Sequence, residues 1–206
     1  MLTTLWLQKD LNFLGYNAGV EDGIIGKNTR RAVESFQKDF GLAVDGIAGN
    51  DTCNRLVRVI KECQSILGTA QDGLAGYNTK TAYANFDGIK YFKYKEFTCH
   101  CGCGYNTIDI RLVKILDDIR KHYGKAAIIT SGVRCEKHNK EVGGVQGFGG
   151  VQGSWHTKRK AADFYINGIS SSELNRYCSI LRDQGLLRYC YAIDSGAVHI
   201  DIGGKF

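Results

Sequence analysis

The sequence predicts an α+β protein in two parts, a small three-helix part at the N-terminus and a mixed helix-and-strand part from about residue 89. Three observations predict this division. An Asp-Gly turn motif occurs three times in the first 79 residues, apolar residues at helical spacing follow its first two copies, and residues 197–202 alternate apolar and polar side chains. At 206 residues and 43% hydrophobic composition, the chain can bury a core in one or two domains.

The composition argues against a membrane protein. No apolar run approaches the roughly 18 to 20 residues that a membrane helix needs, so we expect no membrane span. The start of the chain, Met1 to Trp6, lacks the basic region, the apolar stretch and the cleavage site of a signal peptide. We therefore expect synthesis in the cytoplasm, a reducing compartment in which eight cysteines do not by themselves indicate disulfides.

Basic residues are concentrated in the second part. Residues 89–206 carry 18 basic and 11 acidic side chains, whereas residues 1–88 carry 9 and 10. This excess suits any polyanion, either a nucleic acid or an anionic cell-wall polymer. Because no basic helix with interleaved aromatic residues accompanies it, we expect no nucleic-acid partner.

The three turn copies are residues 21–29, 44–52 and 71–79. In each copy Asp-Gly predicts a tight turn with the glycine at positive φ, and the aliphatic residue that follows is expected to anchor the turn. A second glycine then reverses the chain, and Asn or Asp together with Thr is expected to cap the next helix. The apolar stripes predict helices after the first two copies and another through Leu7, Leu11 and Leu14.

The segments Leu7–Tyr16, Asp22–Gly26 and Ala32–Leu42 resemble the small peptidoglycan-binding domain found on many cell-wall hydrolases. The resemblance covers about residues 3–62 and implies a three-helix fold with a shallow groove for cell-wall peptide or glycan. We assign residues 1–66 to this domain and residues 67–90 to a linker with a third partial repeat, either half of a decayed copy or a linker helix to about Phe86. A helical spacer without a binding role is the alternative.

In the second part, an apolar helix face from Leu112 to Tyr123 ends at Gly124, and residues 126–130 are predicted to form a buried strand. Ser170 and Glu173 form a capping box that opens a helix ending at Gly185. The final strand places His199 and Asp201 on one face.

His156 and Asp163, with six residues between them, fit a loop followed by a strand in which both side chains converge. Together with His199 they form a set of two imidazoles and one carboxylate. Such a set suits a zinc ion with its fourth position open, and zinc activates water and polarises a scissile carbonyl.

Five motifs occur in the order seen in the zinc D-Ala-D-Ala carboxypeptidase and L-Ala-D-Glu endopeptidase family, which belongs with the hedgehog-like metallopeptidases. The motifs are Phe97–Gly104, Ile129–Cys135, His138–Gly144, Gly153–Asp163 and Val198–Asp201. The resemblance implies an α+β fold with a small antiparallel sheet, a zinc metallopeptidase domain over residues 91–206, and one catalytic zinc ion held by His156, Asp163 and His199.

The same resemblance implies that Arg134 meets a substrate carboxylate or the developing oxyanion, as a planar, permanently charged guanidinium can. A structural salt bridge is the alternative. Family members place a carboxylate or histidine a few residues before the second His, so the resemblance favours Asp194, five positions before His199, as the general base, with a kink or bulge at Ser195-Gly196 to deliver it. The alternative is that Asp194 only forms the Asp-Ser-Gly turn. Asp201 is the second candidate for the general base, and its other possible role is to orient an imidazole.

Two loops leave questions open. The segment Gly143–Gly147 is duplicated as Gly149–Gly153, which lengthens the loop before His156. Arg159 stands where relatives often have Gly, in a basic run that we interpret as a solvated loop. The cysteines at 99, 101, 103 and 135 are free, disulfide-linked or metal-bound. Their close spacing argues against a metal site, because zinc knuckles normally have two or more residues between paired cysteines.

The sequence thus predicts a cell-wall-lytic zinc endopeptidase that cleaves peptidoglycan stem peptides, a monomer of the phage endolysin type that reaches the wall at lysis. A D-Ala-D-Ala carboxypeptidase and a binding-only wall protein with a structural metal site are the alternatives.

Overall fold

A computed structural model describes residues 2–144 and 153–203. The chain divides into two compact units, unit 1 up to Ile89 and unit 2 from Lys90. The described helices of unit 1 are α1 (Thr4–Phe13), α2 (Lys27–Asp39), α3 (Asn50–Leu67) and α4 (Tyr77–Asn85). Unit 2 contains a short 3-10 helix (Tyr94–Phe97), α5 (Ile110–Tyr123), β1 (Ala127–Ser131), α6 (Glu136–Glu141), β2 (Ala161–Ile166), α7 (Ser171–Asp183), β3 (Tyr189–Ala192) and β4 (Val198–Asp201). The predicted α+β class is confirmed.

The first three helices of unit 1 lie where the apolar stripes predict them. Their inward faces bury Leu11, Phe36, Leu56 and Ile60 completely. Helix α3 ends at Gly68, which has a φ of 68°, a left-handed conformation that glycine adopts without strain.

Residues 67–90, predicted to be a linker, contribute a fourth helix to unit 1. The third turn copy precedes α4 and buries Ala75 and Thr79. The backbone N–H of Ala75 donates to the Oδ1 atom of Asp10 on α1 at 2.8 Å. The third copy is therefore built like the first two.

A buried glutamine holds each turn copy, in an arrangement that we call the glutamine clasp. Gln8, Gln37 and Gln64 occupy equivalent positions on α1, α2 and α3. Each Nε2 donates to the turn Asp at 2.7–2.9 Å, to the carbonyl oxygen two residues later at 2.9–3.0 Å, and to the turn Thr at 3.1–3.2 Å. Each Oε1 accepts from the turn glycine N–H at 2.8–3.0 Å.

The clasps explain two predictions about the turns that are wrong. Helices α2, α3 and α4 begin after glycines without a side-chain cap in the described residues, because each turn threonine is bonded to the clasp glutamine instead. Ile24 and Ile47 do not anchor their turns through their side chains, since these residues are 68% and 64% exposed and bond within the turn through their backbone N–H and carbonyl groups. The predicted positive φ of the turn glycines is confirmed, with values of 79°, 69° and 80°.

The sheet of unit 2 has the order β1-β2-β4-β3, and all its neighbouring strands are antiparallel. The small antiparallel sheet is therefore confirmed, as are the helix ending at Gly124 and the Ser170 cap of α7. The expectation of a fully buried strand at 126–130 is wrong, because β1 lies at the sheet edge and alternate side chains, such as that of Ile128, face outwards. None of the helices in the described ranges is both long and apolar enough to span a membrane.

The central pair of strands positions the polar residues of unit 2. Asp163 on β2 is the direct register partner of His199 on β4. Opposed residues on antiparallel strands point to the same face of the sheet, with Cβ atoms about 5 Å apart. His156 lies in the turn before β2, so the chain returns over this face.

Candidate metal centre

Three donor atoms converge in unit 2, and we call these three residues the trio. His199 Nδ1 lies 2.7 Å from Asp163 Oδ1, and His156 Nε2 lies 3.2 Å from the same oxygen and 3.3 Å from His199 Nδ1. All three residues are buried. Donor atoms around a tetrahedral zinc ion lie about 3.3 Å apart, given metal–ligand distances near 2.0–2.1 Å. The structure therefore brings the three predicted ligands into a possible metal site.

Contacts on the outer side orient both imidazoles. His156 Nδ1 lies 2.6 Å from the Gly132 carbonyl oxygen, which only accepts, so Nδ1 carries the proton and the Nε2 lone pair faces the trio. His199 Nε2 lies 3.6 Å from Oδ2 of Asp201. Arg188 in turn holds Asp201 through two bonds of 2.6 and 2.7 Å. Such outer partners set the ring tautomer and orientation of metal-binding histidines.

The trio is strongly polarised. Burial by itself raises the pKa of Asp163, but its contacts with His156 and His199 outweigh this effect and hold that pKa well below its usual range. Burial lowers the pKa of His199, yet its hydrogen bonds with Asp163 and Asp201 raise that pKa overall. The Asp163 carboxylate is therefore ionised beside the two imidazoles, the charge state in which a carboxylate can bind a cation.

The trio forms part of the wall of an open cavity of about 570 Å³. Tyr191 stacks on the His199 ring at a centroid distance of 4.8 Å. Trp155 and Tyr189 also line the cavity, and the Arg188 guanidinium lies 5.1 and 5.8 Å from their rings. The cavity thus combines aromatic walls with one polar corner, as binding pockets for small molecules and peptides do.

Arg134 lies at this corner. Its Nε donates to Ser131 Oγ at 2.8 Å and one terminal nitrogen donates to Asp163 Oδ2 at 2.7 Å. The structure thus places Arg134 on the cavity wall in a salt bridge with a trio carboxylate.

Asp194 lies apart from the trio. It is exposed in the turn between β3 and β4, and it is not among the described residues that line the cavity, although its neighbour Ile193 is. The kink expected at Ser195-Gly196 is part of this turn, in which Gly196 has a φ of 86° and bonds back to Ile193. The role of Asp194 as the base stays a prediction.

The remaining sequence predictions near the site have mixed outcomes. Arg159 has a φ of 66°, which explains why glycine suits this position. The basic run is not a solvated loop, because Lys160 is buried and lies 5.8 Å from the Trp155 ring centre. In the duplicated loop, residues 145–152 lie outside the described residues.

Sequence reasoning missed Gly132, Arg188 and Tyr191 as parts of the site. One signal could have indicated Arg188. Asp201 lies on the polar face of β4, so its carboxylate needs a positively charged partner. The carbonyl of Gly132 and the ring of Tyr191 gave none, since their roles depend only on where the backbone passes.

Comparison with protein families agrees with this geometry. The family model of peptidase M15 matches residues 90–201, more than half of the chain. The chain belongs to the peptidase M15 family. A second family model, of a peptidoglycan binding domain, matches residues 3–56. Both resemblances seen in the sequence are confirmed, and unit 2 is the M15 domain.

Similar curated proteins share only a short region with this M15 chain. A spore cortex-lytic enzyme of Bacillus cereus is 44% identical over 55 residues, 27% of this chain and 21% of that protein. One from Oceanobacillus iheyensis is 42% identical over 52 residues, 25% of this chain and 19% of that protein. The N-acetylmuramoyl-L-alanine amidase CwlM of Mycobacterium tuberculosis is 44% identical over 50 residues, 24% of this chain and 12% of that protein. The chain therefore spans about a fifth or less of these relatives.

Proposed function

We propose that this chain is a peptidoglycan hydrolase that cleaves stem peptides as a zinc-dependent endopeptidase. One observation carries the proposal: two imidazoles and a carboxylate converge on the wall of an open cavity in a chain of the M15 family. The peptidoglycan-binding domain match and the wall-lytic names of the relatives support the choice of substrate.

The donor set fits zinc. Two neutral imidazole nitrogens and one carboxylate oxygen are the ligand types that catalytic zinc sites use, and His156, Asp163 and His199 would hold the ion. Zinc bound there would supply Lewis-acid polarisation of the scissile carbonyl and activation of water. Gly132 and Asp201 keep the imidazoles oriented, and the buried surroundings strengthen every charge interaction at the cavity corner.

Arg134 and Asp194 complete the proposed machinery. Arg134, fixed by Ser131 and Asp163, presents permanent charge beside the trio, where it would hold a substrate carboxylate or the carbonyl oxygen as negative charge develops. Asp194 would take a proton from the attacking water and pass it to the leaving amine, which requires the β3–β4 turn to bring its carboxylate to the cavity.

Unit 1 would keep the enzyme on the wall. A domain that binds peptidoglycan raises the local concentration of stem peptides around the M15 domain. An enzyme tethered in this way weakens the wall most effectively by cutting stems or cross-links, which favours endopeptidase over carboxypeptidase activity.

Digestion of purified sacculi tests the proposal. The protein is incubated with sacculi alone, with a chelator, and with the chelator followed by zinc, and new termini are identified by mass spectrometry. We expect new internal stem-peptide termini, lost with chelator and restored by zinc. His156→Ala should abolish them, whereas His122→Ala, which changes an exposed histidine of α5 outside the cavity, should not.

The other outcomes identify the alternatives. Release of terminal D-Ala alone would indicate a carboxypeptidase. Unchanged muropeptides with zinc present, together with retention of the protein on sacculi, would leave a binding-only wall protein.

A second pair of variants tests the base. Asp194→Asn should lower kcat while zinc content and sacculus binding stay unchanged, and the exposed Asp183→Asn on α7 serves as the control. A wild-type kcat in Asp194→Asn would show that another group accepts the proton.

A further inference from the structure

Four cysteines of unit 2 form a second cluster of metal-ligand atoms. Cys99, Cys101 and Cys103 follow the 3-10 helix, and Cys135 comes directly after Arg134. The four Sγ atoms all lie within 4.8 Å of one another. Cys101 Sγ is 3.4 Å from Cys99 Sγ and 3.6 Å from Cys135 Sγ.

These separations match a tetrahedral thiolate site. Sulfurs bound to zinc at about 2.3 Å lie about 3.8 Å apart at the corners of a tetrahedron. A pair of disulfides would instead bring the sulfurs together two by two, at about 2.05 Å within each pair. Here each sulfur has three sulfur neighbours within a single short range, and all four cysteines are free.

The backbone explains how such closely spaced cysteines converge. Gly102 and Gly104 have φ values of 75° and 76°, so the chain turns after Cys101 and again after Cys103. The N–H of Cys99 donates to the Tyr105 carbonyl at 2.8 Å and closes the loop. Paired zinc ligands normally have two or more residues between them, and the two left-handed glycines bring together cysteines that are separated by only one.

Hydrogen-bond donors surround the sulfurs. The backbone N–H of Cys135 donates to Cys99 Sγ, and that of His138 donates to Cys135 Sγ, both at 3.4 Å. His138 Nδ1 lies 3.2 Å from Cys99 Sγ. Such donors stabilise thiolates, the form in which cysteine binds metal.

We propose that Cys99, Cys101, Cys103 and Cys135 bind a second, structural zinc ion that braces Arg134 at the cavity. Four protein thiolates leave no open position, so this site stabilises structure and does not bind substrate. The ion ties the 99–105 loop to the segment that carries Arg134. Two backbone bonds also hold that segment, from Val133 N–H to Phe97 oxygen at 2.9 Å and from Arg134 N–H to His156 oxygen at 3.2 Å.

Metal content of the full chain, purified under reducing conditions with zinc in the medium, tests the proposal. We expect two zinc ions per chain in the wild type and one in His156→Ala/His199→Ala. Cys101→Ser/Cys103→Ser should also bind one, and the combined variant none. Cys53→Ser, which changes a partly exposed cysteine of unit 1 outside the cluster, should keep both. The zinc ion that the histidine variant retains can only be bound at the cysteine site, so this measurement tests the cysteine site independently of the ion proposed at the trio.

Cobalt substitution gives a readout independent of activity. Cobalt bound to the four thiolates should produce intense sulfur-to-metal charge-transfer absorption in the wild type and in the histidine variant, but not in the cysteine variant. Should the cysteine variant fail to fold, titration of the wild type with a mercurial thiol reagent should still release one zinc ion as the four thiols react. A histidine variant without zinc and without this absorption, or a disulfide among the four cysteines in the reduced preparation, would overturn the proposal.

Discussion

The polar centres of the two units, the glutamine clasps of unit 1 and the trio of unit 2, differ in how their polar atoms are paired. Each glutamine clasp pairs donors with acceptors, so the amide of Gln37 satisfies the side chains of Asp45 and Thr52 and three backbone groups without any charge of its own. The trio instead points three electron-rich atoms at one another within 3.3 Å. A complete hydrogen-bond network needs nothing further, whereas converging electron-rich atoms need a proton or a metal ion between them.

This difference separates polar residues that hold a fold from those that perform chemistry. Loss of a clasp should lower stability and leave chemistry intact, because its donors and acceptors lie within unit 1. Loss of a trio member should instead remove the chemistry, since it removes one of the proposed ligands.

The largest expected effect comes from Asp163→Ala. It removes the carboxylate that bonds to both imidazoles and to Arg134, so hydrolysis of a soluble muropeptide should fall by more than about 100-fold, beyond the loss typical of an outer partner. Initial rates measure this, with Gln37→Ala below its unfolding temperature as the control. Comparable rate losses in both variants would contradict the distinction between polar residues that hold the fold and those that perform chemistry.

The next effect concerns the buried carboxylate of unit 1. Burial raises the pKa of Asp10 to about 7 despite the Ala75 N–H bond, and its Oδ2 has no partner among the described residues. Above pH 4 the unfolded chain releases this proton while the folded chain keeps it up to about pH 7, so stability falls as the pH rises between these values. Asp10→Asn should therefore be more stable than the wild type at pH 8 by roughly 4 kcal/mol.

Urea unfolding at pH 4 and pH 8 measures this difference. The advantage of Asp10→Asn should shrink towards zero at pH 4, where the wild-type carboxyl is protonated in the folded chain and partly protonated in the unfolded chain. An advantage independent of pH would mean that Asp10 is not protonated in the folded chain.

Removal of a clasp glutamine should cause a smaller loss of stability. Gln37→Ala leaves buried partners without bonds and should lower the free energy of unfolding by about 2–3 kcal/mol. Gln64→Ala should cost a similar amount, because the third clasp makes the same bonds. Denaturant unfolding measures both, with the exposed Gln71→Ala as control. A negligible loss for Gln64→Ala would mean that residues 67–90 serve only as a linker.

The smallest effect tests the turn isoleucines. Ile47→Ser should change the free energy of unfolding by less than about 0.5 kcal/mol, because the side chain is 64% exposed. Leu56→Ala, at a completely buried position, should cost about 2–5 kcal/mol. Thermal melts compare the stabilities of the two variants directly. A large loss of stability for Ile47→Ser would show that the Ile47 side chain anchors its turn as predicted.

Much of this architecture was predictable because its signals are local. The helices α2, α3 and α5 follow apolar spacing within one segment, and the turn glycines follow Asp-Gly pairs that leave few backbone choices. The trio was predictable for a different reason, since its motifs resemble those of a known family. Periodicity alone predicted that His199 and Asp201 share one face of β4, but it did not predict which residues meet them there.

The errors came from contacts that no local pattern carries. Turn threonines resemble helix caps in sequence, but the buried glutamine 15 or 21 residues earlier competes for the same hydroxyl.

The amino-acid sequence by itself determined the helices, the turn positions and the identity of the residues that can bind metal, because propensity and side-chain chemistry belong to each residue. Only the tertiary structure decided which atoms face one another. The β2–β4 register sets Asp163 against His199, the Gly132 carbonyl selects the tautomer of His156, and two left-handed glycines gather the cysteines. Distances between groups tens of residues apart depend on how the whole chain packs, and packing is a property of no single segment.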